Sequence, residues 1–402
     1  MAASVSLALL ALAAQDPASR PEEGWRADLD LLATELPKRH KDLYALLPRE
    51  KWEAEVARLR EAVPGMERHR FVVGLMRLVA SLGDGHTSVG WPAEGFACPI
   101  AFEWLDDGVV VSAARGEGKA LLGKRLVAIE GKPFDEVAQA LRGILAHDNE
   151  AGFRNWATGF LGVPDVLEAI GVARGLDSVE YAVSSEGRTE AARIESFPRG
   201  RVPKDGWEKV VRPVPLCEER PQEAFWYRHL EPYRALYLKY NACRDPEGFR
   251  ALVDRMWAAV EGKPLDRLVV DLRDNSGGAS AQFKPLLDRL KEEPRLRAKG
   301  AIFGIVGPRT FSSAVLNALE LRGQANARIA GSPTGGKPNH YGEVRTFQLP
   351  STNLTVQYST KFFRTVDGDP ESVPFDLPAP TRIDDWLEGR DPVVEAVLAW
   401  KP

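Results

Sequence analysis

Between residues 235 and 331 short apolar runs alternate with segments of helical spacing, and this alternation constrains the fold more than any other feature of the chain. The runs at 235–240, 268–272 and 301–306 read as strands, and 249–260, 283–291 and 313–321 read as helices. A strand–helix–strand succession needs crossover connections that lay the strands parallel. The pattern therefore predicts an α/β domain with a largely parallel sheet. Two later runs, at 346–349 and 354–359, read as a hairpin.

The first half has a different texture. Residues 25–82 read as helices. The first carries an apolar stripe at Leu29, Leu31, Leu32 and Leu36, with Pro37 placed where a turn begins. A second covers 52–59 and ends near Pro64-Gly65, and a third covers 71–80 and stops at Gly83-Asp84-Gly85. From about 96 to 194 the period shifts toward two. Strands are expected at 109–111 and 125–129, followed by a turn at Glu130-Gly131-Lys132-Pro133 and a helix over 134–141. A hairpin at 178–184 and 189–194 turns through Ser185-Glu186-Gly187-Arg188. Proline and charge dominate 202–223, which reads as a linker.

Three loops at the ends of apolar runs hold the candidate chemistry. Asp271-Leu272-Arg273-Asp274-Asn275-Ser276-Gly277-Gly278 ends in a glycine pair whose amides can approach a developing oxyanion closely. Thr310-Phe311-Ser312-Ser313-Ala314 opens a helix, where a serine hydroxyl is exposed beside uncommitted amides. A serine there is also a common N-cap. Pro333-Thr334-Gly335-Gly336-Lys337 ends in a lysine, which must be desolvated to act as a base near neutral pH. Together they are the parts of a serine hydrolase with a Ser-Lys pair. Gly331 to Lys337 also spells the start of a phosphate loop, but Pro338 stands where a magnesium-binding Ser/Thr is needed and strand rather than helix follows. Nucleotide binding is excluded on that ground.

In this order the segments resemble the C-terminal-processing (tail-specific) and tricorn-like serine peptidases. There a D-L-R-x-N-x-G-G segment precedes a T-x-S nucleophile turn, with a G-K lysine about 25 residues later; Lys337 lies 25 residues after Ser312 (337 − 312 = 25). Asp84-Gly85-His86-Thr87 is similar to the family's D-G-H-T segment, and 123–131 is similar to its PDZ modules. Tyr341 departs from the glutamine that often follows the lysine, and Thr-Phe-Ser-Ser-Ala departs from the usual serine/alanine alternation. The resemblance implies a ClpP/crotonase-like α/β core over 202–402, an N-terminal helical region over 20–94, and a PDZ-like α+β module over 95–201. It implies Ser312 as nucleophile, chosen over Ser313 as the serine of T-x-S, and Lys337 as general base. Gly277, Gly278 and Ser313 amides would be the oxyanion donors, with Arg273 and Asn275 bracing the glycine loop. His86 is the rival base, because in tricorn-like members a histidine of the helical region serves the serine. His340 and Glu343, close to Lys337, are further candidates. His40, His69, His147 and His229 have no evident partners in the sequence.

The expected activity is serine endopeptidase hydrolysis of a peptide or protein substrate, with no metal and no cofactor. The alternatives are a catalytically silent peptide-binding scaffold and an ester hydrolase built from the same parts. A net charge of −4, with scattered rather than striped basic residues, gives no electrostatic case for nucleic acid or an anionic membrane. The stretch 5–14, with Ala11-Leu12-Ala13 as a small-x-small cleavage pattern, suggests a signal peptide over 1–14 and export, although a positively charged start is missing. No later run reaches the roughly 20 apolar residues of a membrane span. Cys98, Cys217 and Cys243 lack metal-binding spacing and read as buried small hydrophobes.

Overall fold

The computed structural model describes residues 21–298 and 300–401; the apolar stretch assigned to a signal peptide lies outside them. The apolar runs of the second half form one six-stranded sheet in the order Phe225–Leu230, Ala235–Tyr240, Arg267–Asp271, Ile302–Val306, Arg328–Gly331, Leu377–Pro378. The first pair is antiparallel and all others are parallel. Every residue of Ala235–Tyr240 is buried, as expected of a strand covered on both faces. One face packs on the helices Pro246–Ala258 and Lys284–Glu292, and the other on the C-terminal helix Pro392–Ala399. The crossover helices follow because each strand run is succeeded by an amphipathic segment that can bury only against the sheet.

A second sheet, antiparallel throughout, gathers Glu208–Lys209, Gly108–Ala114, Arg125–Ile129, Ser178–Ser185 and Arg188–Glu195, with Ile100–Leu105 paired to Gly108–Ala114. Its last hairpin turns at Glu186 and Gly187, both with positive φ, which matches the twist of the flanking strands. Glu208–Lys209 extends this sheet into the segment read as a linker, because its backbone pairs with 113–114. Helices Glu150–Ala157 and Pro164–Ala169, not anticipated from the sequence, pack against the helices Phe134–Arg142 and Arg68–Ala80 respectively.

The N-terminal helices Pro21–Arg39, Arg49–Ala62 and Arg68–Ala80 share one apolar core with the second sheet and with the hairpin His340–Leu349/Leu354–Phe363. The first helix runs through Pro37 rather than turning there. Proline removes the N–H that would have bonded the Ala33 carbonyl, and the Trp52 indole N–H donates to that carbonyl instead, at 3.4 Å. Ser88–Val89 joins the long hairpin as a third strand, antiparallel to Leu354–Phe363. The two strands of the hairpin are each ten residues, longer than their apolar runs, because polar residues alternate along the exposed edge.

Asp28, buried in the first helix, locks that helix to the hairpin turn. Its carboxylate accepts from the Ser351 N–H at 3.0 Å, the Thr352 N–H at 2.7 Å and the Thr352 hydroxyl at 2.7 Å. Asp28→Ala leaves these donors unpaired and is expected to destabilise the fold by about 2–3 kcal/mol, read as a lowered urea midpoint; an unchanged midpoint would show that the turn does not depend on this carboxylate.

Candidate active site

The turn that carries Ser312 follows from how its neighbours are tied. Thr310 is fully buried; its hydroxyl donates to the Leu272 carbonyl at 2.9 Å and accepts from the Gly307 N–H at 3.0 Å. The Phe311 N–H donates to the Asn275 carbonyl at 3.0 Å. Arg309 reaches Glu103 of the second sheet at 2.9 Å and Asp274 at 3.4 Å. Held in this way, the chain passes from strand to helix through Ser312 with φ 51 and ψ −124, a backbone conformation that disfavours any side chain. Ser312 caps no helix amide with its hydroxyl, whereas the Ser313 hydroxyl is committed to the Gly278 carbonyl at 2.5 Å. The simple N-cap alternative for Ser312 therefore does not describe this turn.

The glycine loop packs directly on it. A Cβ at Gly277 would lie 2.8 Å from that of Ser312, and one at Gly278 would collide with the Cys243 carbonyl, so both positions require glycine. Asn275, buried, donates to the Tyr240 carbonyl at 3.0 Å and accepts the Gly277 N–H at 2.9 Å. That last bond changes the expected donor set: the Gly277 amide is already used, and it points away from the role assigned to it. The amides of Gly278 and Ser313 have no acceptor among the described residues. Arg273 braces the loop by bonding Asp271 at 3.1 Å and Asp391 at 3.0 Å. Burial would raise the Asp271 pKa, but Arg273, Lys239 and the Tyr237 hydroxyl outweigh it and hold the group at about 2. Asp271 is thus a fixed anion anchoring the loop.

Ser312, Ser313, Gly278 and Phe311 line a cavity of about 850 Å³. His86, His340 and Glu343 line the same cavity, and Trp156, Phe160, Leu145 and Leu316 supply much of the rest. His86 is the middle of an aromatic stack. Its ring lies 4.2 Å from that of Phe311 and 5.3 Å from that of His340, which in turn lies 5.2 Å from Phe363. Both ring nitrogens of His86 are buried without a hydrogen-bond partner among the described residues. Burial and the neighbouring His340 push its pKa down to about 4, so the ring is neutral at physiological pH. His340 Nδ1 bonds the Lys337 carbonyl at 2.8 Å and is held by it. Glu343, with φ 54, faces Lys361 at 3.7 Å and is largely exposed.

Lys337 is not placed as the sequence suggested. Its ammonium bonds Asp369 at 2.7 Å and Glu371 at 3.1 Å, and it lies outside the lining of the cavity that holds Ser312. Burial lowers its pKa, but the two carboxylates outweigh that effect and raise it. A lysine acting as a base needs the opposite shift. The expected desolvated lysine fails because Asp369 and Glu371, more than thirty residues downstream, fold back onto it.

The histidine loop rests on residues that had no visible partners in the sequence. Asp84, fully buried, accepts from the Thr87 hydroxyl at 2.5 Å, the Ser359 hydroxyl at 2.7 Å, the His86 N–H at 2.9 Å and His40 Nε2 at 3.0 Å. His40 accepts the Asp42 N–H at its other nitrogen, which makes Nε2 the donor. His69 likewise pairs with Glu168 at 2.7 Å. These pairs cross 44 and 99 positions, which explains why the sequence did not reveal them. Asp84, His86 and Asp148 each offer a ligand atom within 4.8 Å of the others. The Asp84 oxygens already accept four hydrogen bonds, leaving two free groups, fewer than the three protein ligands of a catalytic zinc. The three cysteines are buried and free. No helix among the described residues is long and apolar enough to cross a membrane.

Relief of the strained turn is measurable. Ser312→Gly is expected to be more stable than Ser312→Ala by about 1 kcal/mol, the reverse of the usual order of these residues. Equal stabilities would show that the turn stores no strain.

No protein-family model matches the sequence, and no curated protein does. Solved structures do match. Mature CPAF in complex with lactacystin superposes with a TM-score of 0.63 at 14% identity, covering 94% of this chain and 97% of that one. Mature CPAF alone gives 0.61 at 13%, covering 94% and 96%. The photosystem II D1 C-terminal processing protease matches over 93% and 98% at 13% identity, with a TM-score of only 0.39. From end to end of its described residues, the chain has the fold of mature CPAF.

Proposed function

We propose that this protein is a serine endopeptidase in which Ser312 is the nucleophile and His86, not Lys337, is the general base. One observation carries the reading: Ser312 sits on a strained strand-to-helix turn in a large, mostly apolar cavity that a neutral buried histidine also lines, its ring stacked on Phe311 beside Ser312 and both ring nitrogens uncommitted. The Ser312 hydroxyl attacks the scissile carbonyl as His86 takes its proton. The oxyanion forms beside the Gly278 and Ser313 amides, where preorganised donors are worth roughly 3–4 kcal/mol each. His86 returns the proton to the leaving amine, and water, activated by the same ring, releases the acyl group. Asn275 and Arg273 hold the loop that presents Gly278. Lys337 serves structurally, pinning the 369–371 segment.

The finer fold reading belongs to the same proposal. The six-stranded sheet with its crossover helices is a ClpP/crotonase-like core, and the second sheet with the helix Phe134–Arg142 is a PDZ-like module that receives a peptide by strand addition. The mostly apolar cavity, with a peptidase fold around it, favours a peptide or protein chain as substrate. Export through the N-terminal stretch completes the proposal.

The test is hydrolysis of casein or an unstructured peptide by the wild type beside three variants. Ser312→Ala and His86→Ala are each expected to lose about 10³-fold or more in kcat, whereas Lys337→Ala keeps activity within about tenfold, since its ion pairs are with the exposed carboxylates of Asp369 and Glu371, outside the cavity of Ser312. Loss in Lys337→Ala together with retention in His86→Ala would restore the Ser-Lys dyad. No hydrolysis by the wild type on any such substrate would favour the silent scaffold.

A further inference from the structure

We propose that Asp148 is the positioning residue for His86, accepting the N–H of the ring nitrogen that faces away from Ser312. The proposal rests on the reading of His86 as the base. It starts from a mismatch in the hydrogen-bond inventory. Two groups beside one another are buried and unsatisfied: both nitrogens of His86, a residue only 4% exposed, and Oδ2 of Asp148. One ring nitrogen of His86 and one carboxylate oxygen of Asp148 lie within 4.8 Å. A hydrogen bond near 2.8 Å needs a closure of about 2 Å or less. Orphaned polar atoms of this kind are costly and rarely persist without a role.

Other acceptors near the ring are spent. Asp84 already receives four donors. Asp148 Oδ2 has no hydrogen-bond partner among the described residues, while its Oδ1 accepts the Gly85 N–H at 2.7 Å, which ties it to the residue before His86. A Cβ at Gly85 would lie 2.8 Å from Oδ1, so glycine there is what lets the carboxylate close on the histidine loop. The next residue, Asn149, is clamped to the Thr334 carbonyl at 2.9 Å and the Glu371 carbonyl at 2.5 Å, which fixes the segment in place. The stack between Phe311 and His340 fixes the plane of the His86 ring. Which ring nitrogen carries the proton is then set by which one meets the carboxylate, and Asp148 selects that tautomer. In the reaction, the nitrogen facing Ser312 gains the hydroxyl proton as the Oγ–carbon bond forms. The opposite N–H stays on the ring and donates to the carboxylate, which balances the imidazolium charge. The proton then passes to the leaving amine as the peptide bond breaks, and Asp148 ends as it began.

The carboxylate is also held in an unfavourable state. Burial raises the Asp148 pKa to about 7, with Asp84 adding to the rise and the Gly85 and Lys337 backbones and the Lys337 charge opposing it. The other titratable groups facing the pair are His340 and Asp84 against the ring, and His40 behind Asp84. A folded pKa above the unfolded ~3.9 means that the folded state holds its proton more tightly. Stability then falls as pH rises from about 4 through about 7. Asp148→Asn removes this effect while keeping an acceptor for Gly85. Its melting temperature is expected to exceed that of the wild type at pH 8 and to approach it at pH 5.

The deciding experiment combines long-range ¹H–¹⁵N spectra of the His86 ring with peptide kinetics, using full-length wild type, Asp148→Asn and Asp148→Glu. The expected result is one dominant tautomer in the wild type that is lost or reversed in Asp148→Asn, a fall in kcat of about 10²–10⁴-fold with KM within about threefold, and partial recovery of both in Asp148→Glu. An unchanged tautomer with unchanged kcat in Asp148→Asn overturns the proposal. The spectra also separate the two claims. If His86→Ala were fully active, the base assignment would fall. An altered His86 tautomer in Asp148→Asn would then still support the pairing, and an unaltered one would overturn it.

Discussion

The buried carboxylate of Asp84 is the interaction on which the site depends. It joins its own loop, at His86 and Thr87, to two elements that the sequence keeps far away: the end of the first helix through His40 and the long hairpin through Ser359. Burial would raise its pKa, yet these donors hold the group in its charged form. A charge taken this far from water is tolerable only when nearly every lone pair is occupied. Satisfying it therefore forces the histidine loop into one position against the hairpin, and the hairpin in turn sets His340 and Phe363 beneath the His86 ring.

The serine side is organised by the same principle with different atoms. Asp271, buried at a strand end, is balanced by Arg273 and Lys239, and the loop it anchors presents Asn275 to the backbone of Phe311. Two charged knots thus hold a strained serine turn and a stacked histidine in one cavity. The cavity is not closed by apolar packing alone. The apolar residues supply the volume and exclude water, and the buried ions supply the register. Arg309, bridging Glu103 and Asp274, adds a direct link from the second sheet to the serine loop.

Local pattern made much of this legible. The parallel sheet followed from the apolar runs and their helical spacers, and the turn before Ser313 followed from a serine pair between a strand and a helix. The glycine pair at 277–278 was recognisable as a close-approach loop, but which amide stays free depends on Asn275 Oδ1, a side-chain bond that no spacing encodes. Lys337 looked free because Asp369 and Glu371 are distant in sequence and close in space. His40 looked unpartnered for the same reason, since Asp84 lies 44 positions away. Within the site, what escaped was long-range electrostatic pairing, which leaves no periodic trace, whereas burial of apolar faces does.

The most direct measurement of the central claim, that His86 activates Ser312, is covalent labelling with a fluorophosphonate followed by peptide mapping of the adduct. The probe reads nucleophile activation without requiring the right peptide. The expected result is modification of Ser312 in the wild type and in Lys337→Ala, with labelling slowed to background in His86→Ala. Labelling that survives in His86→Ala and disappears in Lys337→Ala would contradict it.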